Sequence, residues 1–277
     1  MRIAILGGGK MGRWFARFFS EEGFSVTVSD KKEETLSQVG QGLSVEISAS
    51  NREAVGSADW ILICVPLKAF EDVVKEIGSH VQANQVVMDI GSVKEQPVKV
   101  MHKYIRAGIT LGTHPMFGPM TTSIKNQNFV VTPTDAKERE FARTFTHWLE
   151  ERQGKVSILS PRKHDELMSL VLGLSHFVGV VVGDTLVDQK EFTETLRVTG
   201  PSYRRLLALT ENTLGQDPDF YATLQMTLPG LERIEESLCQ NALDLLEIVR
   251  GKDAKSFANK MSALQDSMKK RQTGHSR

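Results

Sequence analysis

Up to Ser160 the chain alternates short β-branched and aliphatic runs with longer stretches whose apolar positions recur at helical spacing. A short continuous apolar run predicts a strand covered on both faces, and apolar positions three and four residues apart predict an amphipathic helix. Strands are expected at Arg2 to Leu6, Ser25 to Ser29, Trp60 to Val65, Val86 to Ile90, Thr110 to Gly112, Phe129 to Thr132 and Lys155 to Leu159. Between them, helices are expected at Met11 to Glu22, Leu67 to Val81, Val93 to Ala107 and Ala136 to Glu151. This is the rhythm of βαβ units, so the predicted class is α/β, with a doubly wound, mostly parallel sheet in the N-terminal half.

The texture changes at Ser160-Pro161, where serine can cap a helix and proline fits its first turn. Helical patterns then run to the end: His164 to Val187, Glu191 to Thr213, Asp217 to Val249 and Asp253 to Lys270. Gly200-Pro201 and Gly251 read as breaks, and Pro229-Gly230 kinks or splits the third pattern. Two domains are therefore expected, 1–158 and an all-helical 159–277. Leu170 to Val182 is apolar nearly all round and needs more burial than one thin helical layer supplies, so a homodimer packed through the helical half is expected. The polar tail from Ser267 to Arg277 is expected to fray.

Composition narrows the function classes. With 40% hydrophobic and 25% charged residues the chain is of ordinary globular type. Lys plus Arg (34) balance Asp plus Glu (34), so no global field draws in nucleic acid or an anionic membrane, and a small-molecule ligand is expected. Cys64 and Cys239 fit neither a disulfide framework nor a metal site and are expected to be buried. The N-terminus opens into a strand without a signal-peptide layout, and the longest apolar stretch, around Val178 to Val182, is read as far short of a membrane span. A cytoplasmic protein is expected.

Gly7, Gly9 and Gly12 form G-x-G-x-x-G between the first strand and the first helix, enclosing Lys10 and Met11. In that context the motif is a dinucleotide fingerprint: Gly7 for a tight turn, Gly9 for close backbone approach to a pyrophosphate, Gly12 for helix–strand packing. The first half is thus read as a Rossmann domain. Asp30 closes the second strand, where a carboxylate accepts from the adenine ribose and repels a 2′-phosphate, which favours NAD over NADP. Lys31 and Lys32 pull the other way. Val65 and Pro66 lie at a strand end beside the expected cofactor.

Two further motifs fall at later strand ends: Asp89-Ile90-Gly91-Ser92-Val93-Lys94 and Thr113-His114-Pro115-Met116-Phe117-Gly118-Pro119. His114, between a strand end and two prolines, suits proton abstraction from a hydroxyl that is losing hydride. Ser92 either hydrogen-bonds that imidazole or the substrate, or caps the helix opening at Val93, or does both.

With these motifs the sequence resembles the prephenate dehydrogenase family, which carries a glycine-rich start, an S-V-K turn and an H-P-M-F-G-P loop. The resemblance continues through His164-Asp165, Leu174-Ser175-His176-Phe177, Pro201-Ser202-Tyr203-Arg204 and Gln216-Asp217-Pro218, to about Tyr221. It implies NAD-dependent oxidative decarboxylation of prephenate, with His114 as base and Ser92 positioning His114 or the hydroxyl. By the same resemblance Arg204, with Arg205 as its rival, binds a substrate carboxylate and His176 faces the side chain. Lys94 reads either as positive charge near the substrate or as a solvated first-turn lysine, and His164 as a domain-interface or structural residue. The alternatives are arogenate as substrate, a β-hydroxyacid or imine reductase of the same plan, and a noncatalytic NAD-binding regulator. Fused mutase or regulatory domains, carried by some members of that family, are not expected in a chain of 277 residues.

Overall fold

The computed structural model describes residues 1–273. The nucleotide-type half runs β1 (Arg2–Leu6), α1 (Lys10–Glu21), β2 (Ser25–Ser29), α2 (Glu33–Gly40), β3 (Glu46–Ser48), α3 (Asn51–Ser57), β4 (Trp60–Ile63) and α4 (Leu67–Gly78). It continues through β5 (Val86–Asp89), α5 (Glu95–Tyr104), β6 (Ile109–Pro115), β7 (Asn128–Thr132), α6 (Ala136–Glu151) and β8 (Lys155–Ile158). These strands form one 8-stranded sheet in the order β3-β2-β1-β4-β5-β6-β7-β8. All neighbours are parallel except β6 and β7.

Strand residues divide between the two faces with period two. Ile3, Ile5, Trp60, Leu62, Val86 and Met88 enter one core, while Ala4, Leu6, Ile61, Ile63 and Val87 enter the other. That two-sided burial explains why the central strands read as continuous apolar runs. The first core is aromatic: Phe19, Trp60, Phe145 and Trp148 meet at ring centroids about 6 Å apart.

The helical half comprises α7 (Pro161–Met168), a π-helical segment Ser169–Leu174, α8 (Ser175–Val187), α9 (Phe192–Thr195), α10 (Pro201–Leu214), α11 (Pro218–Thr227), α12 (Leu231–Arg250) and α13 (Ala254–Thr273). Pro229-Gly230 splits the third expected pattern into α11 and α12. Residues Met1–Pro229 make one compact unit and Gly230–Arg277 a second.

Several expectations are corrected. Strand β3 and helices α2 and α3 were not anticipated, because β3 has only three residues and lies at an open sheet edge without an apolar run. Helix α13 is continuous to Thr273, so fraying from Ser267 is not observed there, and residues 274–277 lie outside the described residues. Cys239 is exposed and Cys64 only half-buried. The helix Pro161–Val187 has 27 residues and a mean hydropathy of 1.9 in its most apolar window. By length and composition it is therefore long enough to cross a membrane, since serine, glycine and histidine interrupt the run without making it polar. Leu170, Val171, Val180 and Val181 on this helix are exposed.

Candidate active site

Strands β1 and β4 are adjacent although β2 and β3 separate them in sequence, so a crevice opens at the carboxyl edge where the winding reverses. The glycine-rich turn lies there. Gly7 has φ +107°, and a Cβ on it would sit 2.7 Å from the Cys64 carbonyl oxygen and 3.0 Å from Val65 Cγ1. A Cβ on Gly12 would lie 1.9 Å from the Gly7 carbonyl oxygen, so neither position tolerates a side chain. Gly9 differs: it caps α1 without a side-chain bond and has open space around it. The first-turn amides, at Lys10, Met11 and Gly12, have no acceptor within the helix and present positive dipole ends to an anion.

Asp30 does more than end β2. Its Oδ2 accepts the Gly8 N–H at 2.8 Å and its Oδ1 the Lys32 N–H at 2.9 Å, so the carboxylate braces the glycine turn. Each oxygen keeps a lone pair for a ribose hydroxyl. Pro66 is the N-terminal flank of α4 and is exposed beside this edge. A close-packed turn, an open Gly9 and an acidic brace together fit a dinucleotide.

His114 is the penultimate residue of β6, paired with Val130 of β7, and not a loop residue as its prolines suggested. It is 5% exposed. Its Nδ1 is hydrogen-bonded to His164 Nε2 at 2.8 Å, and His164 Nδ1 to Asp165 Oδ1 at 2.7 Å. Asp165 also accepts the Lys94 N–H at Oδ1 (2.7 Å) and the Glu95 N–H at Oδ2 (2.9 Å). Burial, then the neighbouring His164 and Lys94 charges, holds the His114 pKa well below its ordinary 6.5. Burial likewise lowers that of His164, against the pull of Asp165. Nε2 of His114 has no partner among the described residues. A neutral imidazole with one nitrogen anchored and the other free is equipped to take a proton.

Beneath it lies a buried ion pair. Lys94 is fully buried, which overturns its reading as a solvated lysine. Its Nζ donates to Asp89 Oδ2 and, at 2.6 Å, to the Thr113 carbonyl oxygen. Asp89 Oδ2 also accepts the Gly91 N–H at 2.8 Å, and Thr113 Oγ1 donates to the Asp89 carbonyl oxygen. The ends of β5 and β6, with the turn that carries Ser92, are thereby tied together. Burial pushes the Asp89 carboxyl up and the Lys94 ammonium down, each opposed by its partner's charge.

Ser92 is half-buried on that turn. It does not cap α5, which begins at Glu95 with Lys94 as its flanking residue and no cap from its own sequence; Asp165 supplies the acceptor instead. Nor does Ser92 bond to His114, whose partner is His164. Arg204 and Arg205, the fourth and fifth residues of α10, are both exposed and unpaired among the described residues. His176 is on α8, twelve residues beyond His164 along one helical run, about 18 Å of rise. Its ring meets Tyr221 edge-on at 4.0 Å between centroids, its Nδ1 is buried without a partner among the described residues, and burial lowers its pKa to about 4. The structure thus joins His114, His164, Asp165, Asp89 and Lys94, and leaves Arg204, Arg205 and His176 outside that hydrogen-bonded group. His164 thus sits at the centre of the group rather than at a merely structural position, and Asp165, for which the sequence alone suggests no role, holds it there.

Two family models match the chain: prephenate dehydrogenase, nucleotide-binding domain, over residues 15–158, and prephenate dehydrogenase, dimerization domain, over residues 160–263. A probable arogenate/prephenate dehydrogenase of Methanocaldococcus jannaschii is 34% identical over 94% of this chain and 59% of its own length. A T-protein of Haemophilus influenzae is 25% identical over 96% of this chain and 66% of its own. The chain therefore spans about three fifths to two thirds of these two relatives. The solved prephenate dehydrogenase of Aquifex aeolicus, in complex with hydroxyphenyl propionate and NAD+, superposes with a TM-score of 0.80 at 19% identity, covering 98% of both chains. Synechocystis arogenate dehydrogenase superposes at 0.74 and 16% identity, covering 98% of this chain and all of its own.

Proposed function

The chain belongs to the prephenate dehydrogenase family, and from that premise we propose that it oxidatively decarboxylates prephenate to 4-hydroxyphenylpyruvate in tyrosine biosynthesis, with NAD as cofactor. The observation that carries the reading is His114: buried, neutral, anchored through Nδ1 and open at Nε2 on the carboxyl end of β6. When bound at the glycine turn, the nicotinamide supplies the acceptor for the hydride leaving ring C4. His114 Nε2 takes the proton of the C4 hydroxyl as that oxygen gains double-bond character. The bond from C1 to its carboxylate then breaks, carbon dioxide departs, and the electron pair completes the aromatic ring. His114 returns its proton to the phenolic oxygen, so no net proton is released.

Gly7, Gly9, Lys10, Met11, Gly12, Asp30, Val65 and Pro66 are assigned to the cofactor. The Asp30 carboxylate at the ribose-reading position supports NAD over NADP. Ser92 is assigned to the substrate hydroxyl, Lys94 to positive charge behind the site, Arg204 or Arg205 to a carboxylate in a two-pronged bond, and His176 to the side chain. We also assign the nucleotide domain to 1–158 and the substrate and dimerisation domain to 159–277, a division supported by the bounds of the two family models. A homodimer through the helical half is supported by the exposed Leu170, Val171, Val180 and Val181, and a cytoplasmic location goes with the small-molecule substrate.

A second reading, arogenate as substrate, is favoured by the double name of the M. jannaschii relative. The test is initial-rate turnover of prephenate and of arogenate, each with NAD and with NADP, followed by reduced nicotinamide absorbance. Preference for prephenate and NAD supports the proposal, preference for arogenate supports the second reading, and turnover of neither overturns both.

A further inference from the structure

We infer that Asp165 is a positioning residue for His114: acting through His164, its carboxylate fixes which nitrogen of His114 is free, and it does so from a segment seated on the N-terminus of α5. The inference rests on His114 being the base. Three nitrogens lie 2.7 to 2.9 Å from Asp165: His164 Nδ1 and the backbone N–H groups of Lys94 and Glu95. A carboxylate can only accept, so the His164 hydrogen is on Nδ1. A neutral imidazole has one N–H; His164 Nε2 is then a lone pair and accepts from His114 Nδ1–H across the 2.8 Å contact. The lone pair of His114 is thereby confined to Nε2, the nitrogen without a partner.

Both rings stay neutral because they are buried with the Lys94 ammonium close by; Asp89 and Asp165 are the acidic groups that face them. The same carboxylate serves a second purpose. Helix α5 brings no cap of its own, and Asp165, about 70 residues away in sequence, occupies its positive end. Seating α7 on α5 and orienting the base are therefore one event. In Asp165→Asn the amide nitrogen would direct hydrogens at a donor, so either α5 or His164 loses its acceptor.

The test is nitrogen NMR of the full chain labelled with ¹⁵N-histidine, the His114 signals identified by their absence in His114→Asn. The unmodified chain should show His114 protonated at Nδ1 and bare at Nε2. In His164→Phe, which offers no acceptor, that preference should be lost, and kcat should fall about 10- to 100-fold with KM for NAD unchanged. His164→Gln, whose side-chain oxygen can accept, should recover most of the rate. An unmodified chain protonated at His114 Nε2 would overturn the inference without any variant having to fold. So would His164→Phe retaining both tautomer and rate. Neither result depends on which substrate is turned over, and the role of His114 itself is judged separately by the kinetics of its own replacement.

Discussion

Replacing Lys94 by methionine keeps the stem of the side chain and removes its charge from a fully buried site. In the native chain the ammonium meets Asp89 Oδ2 and the Thr113 carbonyl oxygen. After the replacement the buried Asp89 carboxylate keeps the Gly91 N–H at Oδ2, and its Oδ1 is already buried without a partner among the described residues. Removing one member of a buried pair costs about 3 to 5 kcal/mol, because the other charge is left uncompensated. At roughly 2 to 4 °C per kcal/mol for a chain of this size, Tm should drop by about 6 to 20 °C. The stranded carboxyl, already raised by burial, would rise further and bind a proton in the folded state that the unfolded chain releases above the ordinary 3.8. A raised acid loses stability as pH rises, so the deficit relative to the unmodified chain should shrink as pH is lowered from 7 towards 5. Urea unfolding of both chains at several pH values measures this. A deficit below about 1 kcal/mol, or one that does not narrow in acid, would refute the account of the pair.

Other outcomes follow from the same geometry. His114 and His164 both have lowered pKa values, so below the unfolded value of 6.5 the folded chain holds fewer protons than the unfolded one. Stability is therefore complete above that pH and declines as pH falls through it, which urea midpoints across pH will report. Asp30→Ser should relax cofactor preference towards NADP by removing the carboxylate while Lys31 and Lys32 remain; unmodified protein using both cofactors equally would contradict the assignment. Arg204→Ala should chiefly raise KM for substrate, as loss of a ground-state anchor does. If Arg205→Ala has that effect and Arg204→Ala does not, the register is wrong by one.

The parallel strands were legible because burial on both faces writes itself as an uninterrupted apolar run, as at Ile3 to Leu6 and Trp60 to Ile63. Pro229-Gly230 was legible because proline and glycine act locally. Strand β3 was not: it leans on β2 at the sheet edge, with Glu46 and Ile47 exposed and no periodic signal. Nor was the cap of α5, where local rules offered Ser92 and the fold uses Asp165 from α7. Lys94 shows the same limit. A lysine near the start of a helix looks solvated until Asp89 and Thr113 are known to converge on it. His114 was recognised by its surroundings in sequence, but its contact with His164 spans fifty positions and depends on which turn of α7 faces β6.

Whether His114 accepts the proton as hydride leaves is decided by His114→Asn. Asparagine keeps a hydrogen-bonding side chain of similar reach but cannot take the proton. In the variant kcat should fall about 10²- to 10⁴-fold with NAD affinity nearly unchanged. The acid limb of kcat/KM, which the lowered His114 pKa places below 6.5, should be absent from it. A variant that retains both the native kcat and that acid limb would show that His114 is not the base.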